Sequence, residues 1–205
     1  TACAQLLAKK DYNNILLVDL SDKNDRISRL IKNVKNIKKD ISIEQSNKIE
    51  AIKSSDIIIA VTNKSEALIR SENLKPGAVI IDDAQPSDVD SSIVFNRKDV
   101  LVLEGGVAHI SGINAHFNFG LKHKEDLFSC LAEVVILSAM GHEGDFQVGE
   151  MFKLDNNAFS KIEKQAKKMG FKIGEFQNFY KVYSEKEIDY IKSVIKKTST
   201  EVNFL

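Results

Sequence analysis

The chain of 205 residues contains no tryptophan, two prolines and two cysteines, and no apolar run long enough to cross a bilayer. Cys3 and Cys130 are too few for a disulfide framework, so a stapled secreted miniprotein is excluded. Ten glycines and two prolines exclude a collagen-like or low-complexity chain. Neither charge sign is in excess: 29 Lys and Arg stand against 29 Asp and Glu, with a sequence pI near 6.9. No whole-chain field exists to draw in nucleic acid or anionic lipid, and neither is expected as a partner. What is present, 43% hydrophobic and 28% charged residues, is enough to bury a core. The expectation is a cytoplasmic globular protein without an integral membrane segment. Thr1 to Ala8 has no signal-peptide layout and reads as the middle of a helix, so a preceding segment is expected.

Two aliphatic runs, Ile15-Leu16-Leu17-Val18 and Ile57-Ile58-Ile59-Ala60-Val61, lack the alternation of a strand wetted on one face and read as strands buried on both. Ala78-Val79-Ile80-Ile81 and Val100-Leu101-Val102-Leu103 repeat the pattern, and Ile41-Ser42-Ile43 is a weaker fifth run. Between them, Ile27, Leu30, Ile31 and Val34 mark one apolar stripe on a helix over 22–37, and shorter helices are expected at 46–53 and 65–71. Alternation at this spacing predicts an α/β fold with right-handed crossovers: a doubly wound, Rossmann-like, mostly parallel sheet, lacking its first strand, with C-terminal helices. Residues 1–125 are expected to form this N-terminally incomplete domain, and 126–205 a helical region packed on it. Glycines 105, 106, 112 and 120 predict a long loop after residue 104. A strongly apolar helix over 126–140, capped by Asp126, must then be buried, and a further helix over 156–169 ends at Gly170. Ile188, Ile191 and Ile195 stripe a last helix whose partner the sequence leaves open.

A doubly wound sheet binds ligands at the carboxyl ends of its strands. Asp19 stands at the end of the strand expected at 15–20, where an acidic residue holds the ribose hydroxyls of NAD. The competing role is that Asp19 or Asp22 caps the next helix, while Lys23 and Arg26 would tolerate NADP, so either cofactor remains open. Thr62 and Asn63 could line the nicotinamide side or form an ordinary turn. Asp82 ends another strand, and Gly105 with Gly106 would let backbone approach the nicotinamide closely. Cys130 lies early in its helix, where the positive end of the dipole favours a thiolate; its competing role is core packing. His109, His116 and His123 precede it at seven-residue steps, but intervening glycines break any continuous helix and no short ligand pair occurs, so no metal is expected. One of them, His109 or His116, is instead the expected acid or base for Cys130.

Four segments carry a family resemblance: Val79-Ile80-Ile81-Asp82 followed by Pro86, Val102-Leu103-Glu104-Gly105-Gly106-Val107, Leu127-Phe128-Ser129-Cys130-Leu131-Ala132-Glu133, and Lys168-Met169-Gly170-Phe171. In this order they resemble the long-chain fatty acyl-[acyl carrier protein] reductases and their bacterial relatives labelled amino-acid or shikimate-type dehydrogenases. The cysteine block is the most specific. The resemblance implies that Cys130 carries the acyl group, with Glu133 a member of its motif, and that the substrate-binding part and glycine fingerprint precede Thr1. Asp83-Ala84 stands where the family often has two glycines and Gln85 where it often has tyrosine. The implied activity is reduction of acyl thioesters to aldehydes by NADH or NADPH through a cysteine acyl-enzyme, with acyl carrier protein or CoA as acyl donor. Two alternatives stay open: an amino-acid or hydroxy-acid dehydrogenase without covalent catalysis, and a nucleotide-binding module without chemistry. A homo-oligomer is compatible with each.

Overall fold

The computed structural model describes residues 2–10, 12–21, 24–146, 155–178 and 180–198. Asp22 and Lys23, considered above, lie outside the described residues. The chain is mixed α/β and divides into two units, 1–52 with 143–161 and 53–142 with 162–205.

In the first unit the aliphatic run becomes β1 (Asn14–Val18), preceded by α1 (Ala2–Lys9) and followed by α2 (Asn24–Ile37) and β2 (Ser42–Ser46). The two strands pair in parallel from Asn14↔Ser42 to Val18↔Ser46. Ala4, Ala8, Ile15, Val34 and Ile41 form the core, with Leu7, Leu17, Leu30 and Ile43 packed against it. The stripe read on α2 is therefore the face that covers the sheet. The helix expected at 46–53 is a 3-10 turn over Ile49–Ser54.

The second unit holds β3 (Ile57–Ala60), β4 (Val79–Asp82), α3 (Ser92–Asn96) and β5 (Leu101–Glu104). It continues through β6 (Val107–His109), β7 (Asp126–Phe128) and α4 (Ser129–Ala139). The C-terminal part of α5 (Asn156–Met169), then β8 (Lys172–Ile173) and α6 (Glu185–Thr198), complete it. Strands β3, β4 and β5 form a parallel sheet in that order, with Ile57↔Val79↔Leu101 and Ala60↔Asp82↔Glu104 in register. Val79, Ile81, Leu101 and Leu103 cluster with Ile188, Ile191 and Ile195, so this sheet face is the partner of the last helix. The outer edge of β5 is covered: Glu104 N–H donates to Gln177 O, Val102 N–H to Tyr183 Oη, and Asn178 Nδ2 to Val102 O. Covering an edge in this way removes its unpaired ladder groups from further pairing.

Three expectations are corrected in this unit. Residues 65–71 are not helical, because Leu68 and Ile69 give their N–H groups to Asp88 O and Ile69 bridges Val89. The segment after Glu104 is not one long loop: β6 pairs antiparallel with β7 and with β8 in the order β7-β6-β8. Finally, α4 starts at Ser129 and buries only one face. Ala132 and Ile136 pack with Leu127 and Phe171, whereas Leu131, Val134 and Val135 are exposed. Eleven residues make three turns, so i and i+4 positions alone meet the sheet.

Candidate functional site

In the parallel sheet, register brings the carboxyl ends of β4 and β5 together and places Asp82 opposite Glu104. Asp82 is buried, accepts from Ser87 Oγ at 2.6 Å, and takes backbone N–H groups of Ala84, Asp88 and Val89 at 3.3 Å. Both its oxygens thus shape loop 83–89. Glu104 is half-buried and accepts from Gln85 Nε2 at 2.8 Å. Burial, followed by the charges of Asp82 and Asp83, pushes its carboxyl up to about 8, with the Gln85 hydrogen bond opposing. Asp83 is likewise raised, first by burial and then by Asp82. Beside them lies a cavity enclosing about 20 Å³, bounded by Asp82, Ser87, Glu104 and Tyr180, space for one water.

Gly105 and Gly106 turn the chain directly after Glu104. A Cβ on Gly105 would lie 2.8–2.9 Å from Asp83 Cβ, Cα and N; at Gly106, where φ is +64°, it would lie 2.6 Å from Asp83 Oδ1. Close approach to the Asp83 backbone requires glycine at 105, and the positive φ favours it at 106. Gly106 O accepts the Ser129 N–H at 2.5 Å, fixing the start of α4 against this turn. Cys130 is the next residue. It is exposed, so core packing is excluded as its role. Lying second in the helix, it stands among N–H groups that have no partner within α4.

Neither expected histidine reaches Cys130. In the β6–β7 register, Val107 pairs with Phe128 at the Cys130 end, and His109 pairs with Asp126 two residues further away. His109 Nδ1 is 2.9 Å from Asp126 Oδ1, and the second Asp126 oxygen accepts from Gln177 Nε2 at 2.6 Å. Asp126, expected as a helix cap, is instead a buried residue of β7. His116 is exposed in the 110–125 connection, with φ at +51°. Among the described residues, no hydrogen bond joins Cys130 to a histidine, and no group of three His, Cys, Asp or Glu side chains is placed to hold a metal.

The remaining candidates lie at strand ends. Asp19 Oδ1 accepts from the N–H of Ser21 at 2.9 Å and from its hydroxyl at 2.7 Å, a local turn after β1. Thr62, after β3, donates Oγ1–H to Asp88 Oδ1 at 2.6 Å and N–H to Asp88 Oδ2 at 3.2 Å; Asn63 is exposed beside it. Sequence reasoning did not assign a role to Glu104, Asp83 or Asp88. The signal was available for Glu104 and Asp83, since two consecutive predicted strands both end in acids, and parallel register aligns such ends.

No protein-family model matches the chain. Over 119 residues, 57% of this chain, it is 29% identical to the aminotransferase PigE of Serratia sp. (strain ATCC 39006). The shared stretch is 14% of that protein's length, so the activity in its name belongs to the larger protein. No described helix is long and apolar enough to cross a membrane.

Proposed function

We propose that this chain contributes to an NAD(P)H-dependent reductase of acyl thioesters, in which Cys130 forms the acyl-enzyme. The observation that carries it is the uncovered Cys130 on the first turn of α4, tied through Ser129 to the Gly105–Gly106 turn at the carboxyl end of β5. That rim is where parallel α/β sheets place their chemistry. The enzymatic name of the Serratia relative supports reading the chain as catalytic. The pairings support a doubly wound sheet. Removing strand 1 from the order 3-2-1-4-5-6 leaves a parallel pair and a parallel triplet, which is the pattern of β1–β2 and β3–β4–β5.

In this proposal the Cys130 sulfur attacks the thioester carbonyl carbon and expels the carrier thiol. Ser129 N–H is held by Gly106 O, and the N–H groups that follow it, which have no partner within α4, favour the developing oxyanion. Glu104, a carboxyl that keeps its proton near neutrality, is the acid at the rim in the position first given to histidine. NADH or NADPH supplies a hydride when bound. Asn63 stands exposed at the end of β3, on the carboxyl side of the sheet.

The test is direct acylation. Incubated with a long-chain acyl-CoA, the chain should gain the mass of one acyl group, mapped by peptide mass spectrometry to Cys130 and absent from Cys130→Ala. Acylation elsewhere, or none on folded protein, overturns the covalent step. A dehydrogenase without a covalent intermediate predicts no adduct together with turnover of a small alcohol or amine.

A further inference from the structure

A second set of groups lies in the β6–β7 hairpin, outside the rim described above. The buried Asp126 carboxylate lies 2.9 Å from His109 Nδ1, so in the neutral imidazole the tautomer that this contact favours carries its proton on Nδ1 and its lone pair on Nε2. Ser111 Oγ is 3.4 Å from that Nε2. Gln177 Nε2 holds the far oxygen of Asp126, and Gln177 Oε1 accepts Lys122 N–H at 3.1 Å, so the aspartate is fixed from both sides. Serine, histidine and aspartate thus stand in the order that activates a hydroxyl, with the long Ser–His distance usual before a substrate compresses it.

The next residue supplies a second element. Gly112 N–H donates to Glu125 Oε1 at 2.5 Å, while Glu125 Oε2 is 3.8 Å from His109 Nε2. A carboxylate oxygen therefore already occupies the N–H that follows the serine, the position from which nucleophile turns commonly donate to an oxyanion. Ser111 and Gly112 are exposed, and neither has a structural task that requires the histidine–aspartate pair beneath them.

We propose that Ser111, His109 and Asp126 form a serine-hydrolase centre for activated carboxylic esters or thioesters, independent of Cys130. Ser111 Oγ bonds to the carbonyl carbon as its proton passes to His109 Nε2. The alcohol or thiol then leaves with that proton. Water, deprotonated by His109, attacks the acyl-serine; the Oγ–C bond breaks, the proton returns to Ser111, and a carboxylic acid is released. Asp126 is a positioning residue, holding the imidazole in the required tautomer.

The experiment uses a fluorophosphonate probe, which phosphonylates activated serines, with the modified residue mapped by mass spectrometry. Labelling at Ser111 is expected, absent in Ser111→Ala and slowed about a hundredfold in His109→Gln. In a Cys130→Ala background, hydrolysis of p-nitrophenyl acetate should persist and be lost on adding Ser111→Ala. Asp126→Asn should remove both the labelling and the low-field proton resonance of His109 Nδ1–H. No label at Ser111 on folded wild-type chain, or a labelling rate indifferent to His109→Gln, overturns the proposal. Because Ser111 is exposed, its alanine variant keeps the fold, and the wild-type labelling result stands alone should the His109 or Asp126 variants not fold.

Discussion

Replacing Glu104 with glutamine removes one ionisable group while the amide oxygen still accepts from Gln85 Nε2. The wild-type carboxyl moves from an ordinary 4.5 to about 8 on folding. At 1.36 kcal/mol for each tenfold change in proton affinity this is ~5 kcal/mol, and solvent access to a half-buried group reduces it to about 2–3 kcal/mol. The sign follows from proton binding. Below pH 4.5 the group is protonated in both states, and between 4.5 and 8 only the folded chain retains the proton. Wild-type stability therefore falls as pH rises through that window, and the full cost is present above 8. Asp83, raised by burial and by Asp82, gives both proteins the same additional slope. Urea unfolding of wild type and Glu104→Gln should coincide near pH 4.5, and by about pH 9 the variant should be more stable by about 2–3 kcal/mol, or about 5–10 °C in Tm. Parallel curves for the two proteins across this range would refute the reasoning, and with it the use of Glu104 as a protonated acid near neutrality.

Other outcomes follow from named contacts. Gly105→Ala should cost about 2–3 kcal/mol in thermal unfolding, because its Cβ meets Asp83 backbone, whereas Gly112→Ala, with nothing near the new atom, should cost only about 1 kcal/mol for its positive φ. Thr62→Val leaves the buried Asp88 carboxylate without its 2.6 Å partner and should cost about 1–3 kcal/mol; a loss under about 0.5 kcal/mol would count against that contact. Glu187, held down to about 2 by the Ser184 N–H, then Lys181 and the Ser184 hydroxyl, caps α6. Its stabilisation is present above pH 4.5 and lost as pH falls towards 2, so Glu187→Gln should lose about 1 kcal/mol at pH 7 and nothing in strong acid.

Elements with a strong periodic signal were readable from residues alone. Five aliphatic runs became β1 to β5, although β2 is largely exposed rather than buried on both faces, and the apolar stripe read on 22–37 contributes Leu30 and Val34 to the core beneath α2. The short strands β6, β7 and β8 leave no such mark. Two or three residues cannot display a period, and β8 pairs with β6 across more than sixty intervening residues. The same limit governed the site. The exposed place of Cys130 near a helix start and the turn at Gly105–Gly106 could be read from local sequence, but the partner of His109 depended on a hairpin register that placed it beside Asp126. The raised pKa of Glu104 was equally invisible, since it comes first from burial in the folded chain and then from Asp82 and Asp83 at the end of a neighbouring strand.

The cover that Gln177, Asn178 and Tyr183 place on β5 makes the parallel sheet a one-sided template. A strand that extends it by backbone pairing adds beside the isoleucine-rich β3, the edge that the doubly wound order gives to its first strand. Growth of this sheet therefore has a fixed polarity, and a single lysine or proline placed on the outer side of β3 would block whatever strand adds there.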